Sequence, residues 1–220
     1  MVTMGAWQEN GVNYDVATKQ EQRSEDTKKS ILSAAGELFA SKGYDSVTMR
    51  EIAKEAGCSH TTIYIYFKDK EALLQQLALP PLQALRSQMD AFSIQSDKPE
   101  KILENISLTF IAFCLNNRNM YDLFFSVKSV RVDEKAPALE INQARNELFG
   151  KLTDALQACL PLEPNDDRLL TYTRIYFFTL HGIVSTYTHS EETVEQLLER
   201  LTSTFRTAFE VLLSGFRQRE

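Results

Sequence analysis

Residues 48–67 read Thr-Met-Arg-Glu-Ile-Ala-Lys-Glu-Ala-Gly-Cys-Ser-His-Thr-Thr-Ile-Tyr-Ile-Tyr-Phe, and this stretch decides the fold. Thr48 and Glu51 stand at the spacing of a capping box, in which hydroxyl and carboxylate each take an orphan backbone N–H at a helix start. Ile52, Ala53 and Ala56 then face inward, and Gly57 ends the helix. Ser59 is a second N-cap and opens a helix with Ile63 and Phe67 on its buried side. Two short capped helices joined by a turn through Gly57 have the anatomy of a helix-turn-helix. His60, Thr61 and Thr62 stand at the N-terminal end of the second helix, the end that meets base edges in such units. Small residues there let the helix sit deep in a major groove, and threonine methyls can touch the thymine methyl. The competing reading is an ordinary helical hairpin with Tyr64 and Tyr66 as surface or core filler.

The flanks extend the unit. A first helix is predicted from about Ser24 to Ser41, with Ile31, Ala35, Leu38 and Phe39 on one face and Gly43 closing it. A further helix is predicted from Lys70, capped by Asp69 and stopped or kinked at Pro80-Pro81. Thr48 and Lys70, at two helix starts, can hold phosphates through hydroxyl, ammonium and free N–H groups, and Tyr64 and Tyr66 offer phenols at phosphate reach. Arg50 and Ser59 complete the candidate set. Residues 1–22 read as a loose polar leader in which Trp7 and Tyr14 are isolated.

The segment Ile31–Leu74 resembles the DNA-binding domain of the TetR family of bacterial transcriptional regulators. The resembling features are Ala34-Ala35 and Leu38-Phe39, the Gly43-Tyr44 turn before Val47-Thr48, and Ile52-Ala53-Lys54-Glu55-Ala56-Gly57. Ser59 and the run Ile63-Tyr64-x-Tyr66-Phe67-x-x-Lys70-Glu71-Ala72-Leu73 follow. By this resemblance Thr48, Tyr64, Tyr66 and Lys70 are phosphate contacts and His60, Thr61 and Thr62 are base readers. Thr61 stands where the family often has Gly and Cys58 where Val is usual, so the operator does not follow from the resemblance.

The remainder reads as helices near 82–93, 99–116, 119–129, 137–159, 166–189 and 192–218, with Pro99, Pro137, Pro161 and Pro164 at boundaries. The expected fold is all-α, with a leader 1–22, a three-helix DNA-binding domain 23–70 and a regulatory bundle 71–220. Family members carry a ligand-binding, dimerising domain in this second part. Phe177-Phe178-Thr179-Leu180-His181-Gly182 resembles a Trp-x-x-x-His-Gly stretch of one subfamily, with Phe177 at the Trp position. Phe110, Phe113, Tyr121, Phe125, Tyr172, Tyr176 and His181 combine a high aromatic load with a few polar handles, the composition of a small-molecule site. The other reading of these residues is plain core packing. The last two helices carry apolar stripes wide enough for a second copy, so a homodimer is expected.

Composition sets the bounds. The net charge is −6, yet residues 19–78 hold as many basic as acidic residues, so the acid lies away from the candidate DNA-binding unit. Three widely spaced cysteines, Cys58, Cys114 and Cys159, give neither a disulfide framework nor a zinc clip. No catalytic motif is present, so no enzyme, cofactor or metal is expected. Without an apolar span or a secretory start, a cytoplasmic protein with no membrane partner is the expectation. The expected function is transcriptional control, most simply repression relieved by a small apolar or aromatic effector. Control by thiol redox state or a protein partner, and activation in place of repression, are the alternatives.

Overall fold

A computed structural model of the chain describes residues 12–95, 98–163 and 166–218. The helices are α1 (Val12–Lys42), α2 (Met49–Glu55), α3 (His60–Tyr66), α4 (Lys70–Gln95), α5 (Pro99–Asn116), α6 (Tyr121–Phe125), α7 (Glu140–Ala158), α8 (Asp167–Tyr187) and α9 (Val194–Arg217). A short 3-10 turn, Arg118–Met120, precedes α6. No strand occurs among the described residues, in keeping with the all-α reading. The helices fall into two compact units, one ending at Gln76 and the other beginning at Leu77.

In the first unit α1 packs on α2 and α2 on α3. Ile31, Ala35 and Phe39 of α1, Ile52 of α2, Ile63 of α3 and Leu73 and Leu74 of α4 form its buried core. Gly43 and Gly57 both take left-handed backbone, at φ 79° and 70°, so each chain reversal falls where L side chains are disfavoured. The Thr48 box forms as its spacing predicts: the hydroxyl accepts from Glu51 N at 3.2 Å and Glu51 Oε2 accepts from Thr48 N at 2.9 Å. Asp69 Oδ1 likewise accepts from Ala72 N at 2.8 Å.

Two expectations are corrected here. Residues 12–22, read as leader, belong to α1, which starts at Val12 rather than Ser24. Residues 1–11, including Trp7, and Pro164 lie outside the described residues. The break expected at Pro80-Pro81 does not occur, because α4 runs through both prolines to Gln95. Each proline removes one helical donor, leaving the carbonyls of Gln76 and Leu77 without their usual partners. The buried stripe Ala78, Leu82, Leu85 and Met89 continues across the site. Burying a Leu side chain is worth about 1.5–3 kcal/mol, enough to offset the missing bonds.

The second unit is built on α5, which packs on α7, α8 and α9, with α7 and α9 both against α8. The helix expected over 119–129 ends early, and Lys128 at φ 53° turns the chain into an irregular segment before α7. A capping box at Thr193 and Gln196, whose spacing is as legible as that of Thr48, opens α9.

Candidate nucleic-acid interface and candidate ligand cavity

In the first unit the caps hold α3 by its N-terminus. Ser59 Oγ accepts from Thr62 N at 3.0 Å, and the Ser59 and Thr62 hydroxyls lie 2.7 Å apart. Thr62 therefore turns its hydroxyl back to its cap, whereas His60 and Thr61 are exposed at the helix start. His60 packs edge-on against Tyr64, with ring centroids 5.2 Å apart. Arg50 is exposed on α2, and with Thr48, Lys54, Cys58 and His60 it borders a shallow notch between the starts of α2 and α3. Tyr66 is half-buried.

Lys70 is placed differently from its expected role. Its ammonium donates to the carbonyls of Tyr44 at 2.7 Å and Val47 at 2.9 Å, with Asp45 O at 3.4 Å, and sits 4.3 Å from the centre of the Tyr44 ring. An ammonium has three donors, and this one spends them on the turn before α2. A phosphate at this position would meet the N-terminal N–H groups of α4 rather than the side chain. Ile65 is the converse case. It is 76% exposed on α3 and was not in the expected set. Ile63 and Phe67 fix the buried face, so a residue two after Ile63 must face away from it.

The second unit encloses a cavity of about 190 Å³ among residues of α4, α5, α6, α7, α8 and the 129–132 segment. Of the expected ligand residues, Phe110, Phe125 and His181 line it. Phe149, Phe177, Leu180, Ile106, Leu148 and Leu152 are among the remaining apolar wall, and Ser129, Arg145 and Asn146 also reach it. Phe177 lies 4.1 Å from His181, centroid to centroid, and Phe110 lies 5.6 Å from it.

The other expected ligand residues stand elsewhere. Tyr172 stacks on Phe216 at 4.5 Å and 10°, on the side of α8 that faces α9. Tyr176 is wholly buried, its phenol 2.9 Å from the Ser107 hydroxyl and its ring 5.5 Å from Phe209. Phe113 stacks on Phe124 at 5.7 Å. Tyr121 stands behind the cavity wall, its phenol hydrogen-bonded to His181 Nδ1. Burial raises the phenols of Tyr121 and Tyr176 above the ordinary tyrosine range and lowers the His181 imidazole to about 4. Both phenols are thus protonated and the imidazole is neutral at pH 7.

A helix-turn-helix unit followed by a helical unit with an apolar cavity is the build of a two-domain DNA-binding transcriptional regulator. Residues 31–77 match the family described as bacterial regulatory proteins, tetR family, and residues 103–205 match a tetracyclin repressor-like C-terminal domain. The chain belongs to the TetR family. It is 26% identical over 198 residues to the fatty acid metabolism regulator protein of Bacillus subtilis (strain 168), covering 86% of this chain and 95% of that protein. Among solved structures, the regulator FadR of Bacillus subtilis in complex with stearoyl-CoA is similar at TM-score 0.58 and 22% identity, over 85% of this chain and 98% of that one. The ketosteroid transcriptional regulator of Mycobacterium tuberculosis is similar at TM-score 0.63 and 17% identity, over 86% of this chain and 94% of that one. No helix among the described residues is long and apolar enough to cross a membrane.

Proposed function

We propose that the protein represses transcription as a homodimer and that an effector with an apolar body, entering the cavity of the second unit, releases it from its operator. The observation that carries this reading is the aromatic cavity around Phe110, Phe125, Phe177 and His181 in a chain that begins with a helix-turn-helix. A relative named for fatty acid metabolism and a structural neighbour bound to stearoyl-CoA favour an effector with much apolar surface. Thiol control is disfavoured by the burial of Cys114 and Cys159, which raises both thiols and suppresses the reactive thiolate.

In this reading the exposed residues of α3 carry base recognition. His60, Thr61, Tyr64 and Ile65 are offered to the groove, with Arg50 and the starts of α2 and α4 on phosphates. One such unit covers only a half-site, so specificity calls for two copies. Ile175 and Phe178 on α8 and Val211 on α9 are large apolar side chains left exposed, at 40%, 65% and 64%. A second copy of the same two helices would cover them in an isologous interface. The test is selection of bound duplexes from a random pool, followed by titration of apolar compounds against the complex. Operator affinity that no such compound changes would refute the effector reading. A Phe178→Glu variant that remains dimeric in sedimentation would refute the interface.

A further inference from the structure

The mostly apolar cavity is also lined by four polar side chains, Ser129, Arg145, Asn146 and His181, and two of these, Arg145 and His181, carry donors short of an acceptor. The first is Arg145 of α7, which is buried to 8% exposure. Its Nε donates to Phe124 O at 2.6 Å, its Nη2 to Leu123 O at 3.0 Å and its Nη1 to Asn142 Oδ1 at 2.7 Å. All three acceptors are neutral, and a guanidinium carries five N–H groups. Two donors and the whole positive charge are left over. Among the described residues no carboxylate contacts Arg145. Burial draws its pKa down to about 10, which leaves it charged at neutral pH. A buried cation without a counter-ion is costly unless something neutralises it.

The second is His181. Its Nδ1 faces the Tyr121 phenol, and its Nε2 is fully buried with no hydrogen-bond partner among the described residues. In the tautomer in which the phenol donates to Nδ1, the neutral ring carries its proton on Nε2. That N–H has no acceptor. Spare donors on two residues that line one cavity call for a ligand that brings acceptor oxygens, and the charge of Arg145 calls for an anion.

We propose that the cavity is a carboxylate site: a compact monocarboxylic acid lies with its apolar body among Phe110, Phe125, Phe149 and Phe177 and its carboxylate on Arg145 and His181 Nε2–H. Size narrows the class. The cavity is about 190 Å³, and an apolar cavity of about 150 Å³ holds benzene. The space suits one aryl ring with a short acid arm, or a medium-length acid chain. It is too small for a long acyl chain together with coenzyme A. This inference rests on the effector reading above and adds the chemistry of the head group.

The experiment is calorimetric titration of the full chain with 3-phenylpropionate and octanoate, beside 3-phenylpropanamide, 3-phenylpropanol and stearoyl-CoA, with operator release measured for each. The acids are expected to bind and release operator, and the amide and alcohol to bind more weakly by about tenfold to a hundredfold. His181→Phe should weaken the acids more than the alcohol, because a donor bonds a charged acceptor more strongly than a neutral one. Arg145→Lys, which retains a buried cation, should keep the preference for acid over amide, and Arg145→Met should abolish it. Because Arg145 also holds two backbone carbonyls, the acid–amide comparison on the unaltered protein decides the matter should Arg145→Met fail to fold. Equal binding of acid, amide and alcohol, or release by stearoyl-CoA alone, would overturn the carboxylate site and leave the effector reading standing. Release by none of the five would overturn both.

Discussion

Replacing Lys70 by Met keeps most of the side-chain length and removes the ammonium. If that ammonium contacts phosphate, the loss appears in DNA binding: the log–log salt slope becomes shallower by about 0.9 and the fold is unaffected. The structure argues for the opposite outcome. The ammonium makes two short hydrogen bonds, to Tyr44 O and Val47 O, and lies over the Tyr44 ring. Bonds from a charged donor contribute about 1.5–3 kcal/mol and an exposed cation–π contact about 0.5–1 kcal/mol. Lys70 is half-buried, so screening reduces both, and a loss of about 2–3 kcal/mol is expected in the first unit. For a unit of this size that is a fall in melting temperature on the order of 10 °C. Scanning calorimetry of the full chain reads the stability, and fluorescence anisotropy with labelled operator between low and moderate salt reads the slope. The expected result is the lower transition with an unchanged slope below it. A slope shallower by about one unit with stability within about 0.5 kcal/mol of the parent would refute the inward placement of Lys70.

His60→Ala and Ile65→Ala should relax base preference at separate operator positions by about 1–3 kcal/mol for a strong contact, as read by competition among single-base operator variants. Arg50→Ala should instead weaken all duplexes alike and make the salt slope shallower by about one, the mark of a lost phosphate contact. Phe113→Ala should destabilise the second unit by about 3 kcal/mol and leave effector affinity nearly unchanged, since its partner is Phe124 and not the cavity. The buried imidazole of His181 sets a pH dependence. Its folded pKa, about 4, lies below the unfolded value of 6.5, so the unfolded chain binds the extra proton. Its contribution is fully present above pH 6.5 and is lost as pH falls towards 4, amounting to about 2 kcal/mol by pH 5. His181→Gln should remove that component of the acid limb in denaturant titrations at pH 5 and pH 7.

What the sequence discloses about this protein follows from the kind of constraint each residue is under. The first unit is legible almost to the atom because its signals are local. Thr48 and Glu51, Ser59 and Thr62, Gly43 and Gly57 act within one turn of chain, so spacing alone implies the bond. Lys70 is not legible, because its acceptors lie more than twenty residues earlier and a lysine at a helix start reads as solvated. The two prolines of α4 mislead for a related reason: their local cost is plain, and the burial that offsets it depends on tertiary packing.

The cavity shows how fine that limit is. On α8 two pairs compete at the same spacing of four residues, Tyr172 with Tyr176 and Phe177 with His181. They differ by one position, which is about 100° around a helix. Hydropathy marks both as buried and cannot say which face meets α9 and which meets the cavity. The partners decide: Phe209 and Phe216 take the tyrosines, and Phe110, Phe125 and Phe149 of other elements take the second pair. Arg145 is harder still, because a charge inside an amphipathic helix reads as solvent-facing until the fold buries it against the carbonyls of Leu123 and Phe124. Arg145 and His181, on which the proposed carboxylate contact rests, line the cavity from different helices brought together only in the folded chain. The apolar walls could be guessed from composition. The placement of Arg145 and His181 on that wall, which the head-group proposal needs, could not.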